Sequence, residues 1–106
     1  MMVLVHITVK NQIQANEIIE LLMDKKLLAD ALVSEKMILL KVKGSEKTKQ
    51  KKIYLIIGKT KALLFKTINE ILYKKYPDKM PILYAVPIVY MDDGQTEELR
   101  MITAKI

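Results

Sequence analysis

The stretch Tyr76-Pro77-Asp78-Lys79-Met80-Pro81-Ile82-Leu83-Tyr84-Ala85-Val86-Pro87-Ile88-Val89-Tyr90 restricts the choice of fold more than any other part of the chain. It begins where Pro77 stops an apolar-periodic helix, and it then runs extended through two further prolines. Proline has no amide hydrogen to give to a ladder. A strand that carries Pro81 and Pro87 is therefore expected at a sheet edge, at a bulge, or paired on one side only. The remaining side chains from Ile82 to Tyr90 are apolar. An edge of that composition invites pairing with other chains unless something covers it. In a chain of 106 residues the available cover is a second copy, so the stretch predicts an oligomer.

The remaining elements follow from periodicity. Val3, Val5, Ile7 and Val9 alternate with Leu4, His6 and Thr8, the pattern of a strand over residues 2–9. Asn11 is placed to cap a helix over 12–26 whose stripe is Ile13, Ala15, Ile18, Ile19, Leu21 and Leu22. Strands are expected over 28–33 and 36–43, then a polar turn from Gly44 through Gln50. Ile53–Ile57 reads as a central strand ended by Gly58. Thr60 is the expected cap of a second helix over 61–75, with Leu64, Phe65, Ile68, Ile71 and Leu72 as its stripe. After the proline-bearing strand, Asp92-Asp93-Gly94 reads as a turn, and a short helix is expected to start at Gln95 or Thr96. The order is β-α-β-β-α-β with a short C-terminal helix. Two helices of this kind bury their stripes on one face of an antiparallel sheet, which is a ferredoxin-like α+β domain spanning 1–106. The other sheet face is left bare, a second reason to expect association.

Composition narrows the function. A hydrophobic fraction of 51% is high for a small monomer. The N-terminal run reads as a strand and not as a signal peptide, and no apolar run reaches the ~18 residues of a membrane span. With no cysteine, the chain has neither disulfides nor a thiolate, and a cytoplasmic location is expected. The net charge of +6 raises nucleic acid as a partner. Against it, Arg100 is the single arginine, and no phosphate-cradling loop or basic–aromatic interleaving is present.

Spacing along nearly the whole chain resembles the CutA family, small ferredoxin-like trimers linked to divalent-cation tolerance. The resemblance rests on Val3-Leu4-Val5-His6-Ile7-Thr8, on Lys26-Leu27-Leu28-Ala29-Asp30-Ala31-Leu32, and on Val42-Lys43-Gly44 at the hairpin. Lys59-Thr60, Tyr76-Pro77-Asp78-Lys79-Met80-Pro81 and Ala85-Val86-Pro87-Ile88 continue it in register. It implies a homotrimer, a non-enzymatic metal-response role and a divalent metal ion as the cofactor class. The family positions associated with metal are occupied by Asp30, Tyr76 and Asp78, where the family has Cys, His and Tyr. Val42 replaces the hairpin tryptophan. A related fold-level analogy, to the trimeric PII signalling proteins, implies instead a small anionic ligand or a protein partner in clefts between subunits.

The residues themselves leave these readings open. Asp30, inside an apolar segment, is solvated, paired with a lysine, or a ligand. His6 is the only imidazole, so acyl-transfer chemistry lacks its parts and no enzyme is expected. Asp92, Asp93, Glu97 and Glu98 suit the positive end of the last helix better than a calcium loop. Lys41, Lys43, Lys47, Lys49, Lys51 and Lys52 cluster on the predicted hairpin. They are either solubilising residues that discourage edge pairing or a contact for an anion or partner.

Overall fold

Alternation along the first strand decides which side of the sheet is dry. In β1 (Met2–Val9) the residues Val3, Val5, Ile7 and Val9 are buried, while Leu4, His6 and Thr8 on the opposite face are only half-buried. The computed structural model describes residues 1–105; the last residue of the expected 1–106 domain lies outside them. The other elements are α1 (Gln12–Asp24), β2 (Leu32–Lys41), β3 (Thr48–Lys61), a 3-10 turn (Ala62–Leu64), α2 (Phe65–Lys75), β4 (Ile82–Pro87) and α3 (Asp93–Ile102). The sheet order is β2-β3-β1-β4, antiparallel throughout, which is the ferredoxin-like arrangement. The proline-bearing strand β4 is an edge.

Helices α1 and α2 seal the dry face. Ala15, Ile18 and Leu22 of α1 and Ile68 and Leu72 of α2 are fully buried against Val5, Ile7 and Ile56. Each such aliphatic side chain contributes roughly 1.5–3 kcal/mol by leaving water. Asn11 caps α1 by accepting a hydrogen bond from the Gln14 amide at 2.8 Å. The helix ends without a glycine. Lys26 takes the left-handed conformation (φ 57°), its amide donates to the Met23 carbonyl, and the Leu27 amide donates to the Leu22 carbonyl. These are the two bonds of a Schellman cap, completed by the burial of Leu27. The chain after α3 is tied to the same corner, where the Ala104 amide donates to the Lys26 carbonyl and the Lys61 ammonium to the Ala104 carbonyl.

Several local expectations fail for tertiary reasons. The two strands expected over 28–33 and 36–43 are one, β2, and Leu27 and Leu28 are buried ahead of it in the core. Gly58 does not end a strand, because β3 runs on to Lys61. A Cβ on Gly58 would sit 2.7 Å from the Asp30 carbonyl oxygen and 2.9 Å from the Leu28 methyls. The glycine is there to let segment 28–30 cross. Thr60 caps nothing; it lies fully buried in β3, and the 3-10 turn separates it from α2. The hairpin turn is shorter than Gly44 to Gln50, since the Val42 amide donates to the Lys47 carbonyl and β3 starts at Thr48. Asp92 is itself the cap of α3, accepting from the Gln95 amide at 3.0 Å, so the helix starts at Asp93. Ile13, assigned to the α1 stripe, is 74% exposed.

Candidate functional site

Asp30 stands at the end of β2's ladder. β2 pairs with β3 only as far as Leu32–Ile57, so the edge of β3 beyond that point needs other partners. Segment 29–30 supplies them: the Ala29 amide donates to the Lys59 carbonyl at 2.9 Å, and Asp30 Oδ1 accepts from the Lys59 amide at 3.0 Å. Asp30 Oδ2 also faces the Lys59 ammonium at 2.8 Å. Of the alternatives open in the sequence, the structure has Asp30 paired with a lysine. Both carboxylate oxygens are engaged by Lys59, and they line a cavity of about 310 Å³ with Met91, Gln95, Glu98 and Leu99 of the α3 region.

Tyr76 is elsewhere. It is the C-terminal cap residue of α2, and it lines a larger cavity of about 430 Å³ at the opposite end of β1. Its hydroxyl donates to Glu17 Oε2 of α1 at 3.3 Å, and the Lys75 ammonium lies 5.7 Å from its ring centre. Burial, reinforced by the negative charge of Glu17, holds the Tyr76 hydroxyl above the ordinary tyrosine value of 10.0. Asp78 is exposed in the loop between α2 and β4 and lines neither cavity. Asp30 and Tyr76 thus border separate cavities. Among the described residues no group of three or more His, Cys, Asp or Glu side chains could hold a metal ion. A divalent cation needs several oxygens converging on one point, and at Asp30 it would have to displace an ammonium. The residues of a single chain do not fit such an ion. His6 stacks on Tyr84 of β4, ring centres 5.0 Å apart, as a cross-strand pair on the open sheet face.

The lysine cluster lies on a protruding arm. β1 pairs with β3 only from Tyr54 onward, so among the described residues β3 from Thr48 to Ile53 has β2 as its sole strand neighbour. Lys52 pairs with Glu35 at 2.9 Å, which lowers the Glu35 carboxyl and raises Lys52 from their ordinary values. Lys41 faces Glu46 at 3.6 Å. Lys43, Lys47, Lys49 and Lys51 have no ion pair among the described residues. The arm is also apolar on both sides. Met37 and Leu39 are 58% and 62% exposed on one face, and Ile38 and Leu40 lie on the other. The open face continues inward through Leu32, Ile53, Leu55 and Ile57 to Ile82, Tyr84 and Val86 of β4.

Sequence reasoning missed Lys59 as the partner of Asp30 and did not gather Lys10, Lys51 and Lys79 around Tyr76. Asp30 and Lys59 are 29 residues apart, and no local pattern joins them. The cavity residues come from four segments that only the sheet brings together.

The same architecture occurs in known proteins. CutA1 from Oryza sativa superposes with a TM-score of 0.86 at 21% identity, covering 99% of this chain and 95% of that one. The divalent cation tolerance protein Cut A1 from Thermus thermophilus gives 0.84 at 23% identity, covering 98% and 100%. The periplasmic divalent cation tolerance protein CutA from Archaeoglobus fulgidus gives 0.84 at 20% identity, covering 96% and 98%. At these identities the likeness shows the shared fold. Among curated proteins none matches. A sequence model of the CutA1 divalent ion tolerance proteins matches residues 3–97, nearly the whole chain. The chain belongs to the CutA1 divalent ion tolerance family.

Proposed function

We propose that this protein is a non-enzymatic homotrimer acting in divalent-cation tolerance, and that its assembly is made by the β2–β3 arm and the open sheet face. The observation that carries the reading is the two-sided arm. One neighbour laid against a flat face could cover Ile38 and Leu40, but not Met37 and Leu39 as well. Insertion between two other copies covers both. Exposed apolar area of this extent on a folded chain marks an interaction surface. The bare edge strand β4, with its own residues Ile82, Tyr84 and Val86 on the open face, offers a docking edge of matching character.

The proposed role in metal tolerance runs through the assembled protein, not through a cation held by one chain, because Lys59 occupies both oxygens of Asp30. We also place the protein in the cytoplasm, which cell fractionation tests. Light scattering tests the assembly. The expected mass is three times the 12.2 kDa of the chain, and the double variant Leu39→Asp, Leu40→Asp is expected to run as a folded monomer with an unchanged far-ultraviolet spectrum. A wild-type chain that stays monomeric at micromolar concentration overturns the reading. Calorimetry with Cu²⁺ and Mn²⁺ tests the second part. A saturable heat abolished by Asp30→Ala would place the cation on the single chain after all.

A further inference from the structure

We propose that the arm of one copy docks head to tail on segment 89–98 of a second copy, with Val89 and Tyr90 seated against the open side of the arm and Asp93 and Glu98 facing its lysines. This deepens the assembly reading and rests on it, because it names the surface that receives the arm.

Charge is spread unevenly along the molecule. Residues 35–52 hold seven lysines against Glu35 and Glu46, whereas the rest of the chain holds eleven basic and ten acidic residues. Five of the six net positive charges therefore sit on the arm. The two sides of the arm differ as well. On the side of Met37 and Leu39, Lys52 is paired with Glu35 and Lys41 with Glu46. On the open side, Lys51 and Lys49 stand opposite Ile38 and Leu40 and have no ion pair among the described residues. Lys43 and Lys47 at the tip have none either. An aliphatic strip beside uncompensated ammonium groups is matched by exposed apolar side chains beside carboxylates.

Segment 89–98 has that character. Val89 and Tyr90 are 80% and 92% exposed, and they come just after β4, so they continue its docking edge. Asp92, Asp93, Glu97 and Glu98 follow with no basic residue among them. Asp92 caps α3 and Glu97 pairs with Arg100, which leaves Asp93 and Glu98 exposed and without an ion pair among the described residues. Helix α1 also carries acids, but Glu17 already accepts the Tyr76 hydroxyl, and Lys25 and Lys26 follow Asp24 directly.

The contact cannot form within one chain. α3 lies at the Lys59 end of β3, where Lys59, Gln95 and Leu99 line one cavity. Ten residues of strand, roughly 30 Å, separate Lys59 from Lys49. Complementary patches at opposite ends of a chain make a head-to-tail contact, the kind that closes into a ring when the rotation between copies allows it.

Carbodiimide coupling of the intact protein, which joins an amine directly to a carboxylate, tests the proposal when followed by peptide mass spectrometry. Lys43, Lys47 or Lys49 is expected to be joined to Asp93 or Glu98, in species that run as covalent dimers and trimers. Coupling of these lysines to Glu17 or Glu20 instead overturns the proposal. Light scattering on dilution gives a second readout. Raising salt from about 50 to about 500 mM should raise the concentration of half-dissociation about tenfold. The double variants Lys47→Glu, Lys49→Glu and Asp93→Lys, Glu98→Lys should each weaken assembly at least about tenfold, and all four changes in one chain should restore it to within about threefold of wild type. A combined variant that does not recover overturns the proposal. A wild-type trimer indifferent to salt and to both charge reversals overturns this docking surface and leaves the assembly reading standing, whereas a wild-type chain that stays monomeric at low salt overturns both.

Discussion

The body and the arm of this sheet are built from similar residues and meet opposite fates. In the body, Val5 and Ile7 of β1 and Ile56 of β3 are fully buried beneath α1 and α2. In the arm, Met37 and Leu39 of β2 stand in water, with Ile38 and Leu40 behind them on the other face. Hydrophobicity along the chain does not separate the two regions; helix coverage does. Each helix is too short to reach past the end of β1, since α1 has 13 residues and α2 has 11 at ~1.5 Å each. The whole molecule extends 49 Å along its longest axis. Apolar side chains on the body stabilise this fold, whereas Met37 and Leu39 on the arm stay mostly exposed among the described residues.

That contrast can be broken by mutation, and the largest effect is expected in the body. Ile68→Ala removes a fully buried side chain between helix and sheet, and should cost about 2–5 kcal/mol of unfolding free energy at any protein concentration. Met37→Ala is the matching change in the arm. Under the proposed assembly its cost, read from denaturant midpoints, should shrink to nothing as the protein is diluted to monomer, because what it buries would then belong to another copy. A Met37→Ala effect that persists on dilution would mean that the arm folds back on its own body.

A smaller effect is expected where body and arm join. Gly58→Ala sets a methyl against the Asp30 carbonyl and the Leu28 methyls, so segment 28–30 must shift. Overpacking of this kind should cost about 1–3 kcal/mol, seen in the urea midpoint and in faster exchange of the Lys59 amide, which Asp30 holds.

The smallest effect is confined to alkaline pH. The Tyr76 hydroxyl sits above its ordinary value of 10.0, from burial first and from Glu17 second. The folded state holds this proton more tightly than the unfolded chain does. Its contribution to stability is therefore complete below the ordinary value and is lost as pH climbs through the folded one. Tyr76→Phe should flatten the fall in stability above about pH 10 and leave the slope near neutrality unchanged. Unfolding midpoints of the two proteins measured across that range decide the point.

How much of this was legible in the chain depends on the range of the interaction. Pro81 and Pro87 declare an edge strand because a missing amide hydrogen is a property of the residue itself, and β4 is an edge. The alternation of Val3 to Val9 and the Asn11 cap are equally local, and both are seen. Thr60 misleads because a threonine before an apolar periodic segment has the form of a cap, yet pairing with Val3 keeps the chain extended for one more residue. Gly58 misleads for the opposite reason: its role is to admit segment 28–30 from much earlier in the chain, and nothing beside it in the sequence shows that. The site residues follow the same rule. Tyr76 and Asp30 could be singled out one by one, but the Lys59 partner and the lysines around the large cavity could not.

The sequence alone settled the β-α-β-β-α-β succession, the buried centres of the helix stripes apart from Ile13, and the edge position of the proline strand, because each rests on the conformational limits of single residues or on a period of two or of 3.6. Only the folded chain decided that both oxygens of Asp30 face Lys59, that Tyr76 borders a different cavity, and that the arm is bare on both sides. Those outcomes are contacts across tens of residues, set by sheet register and by where the helices run out, and such distances leave no mark in local pattern.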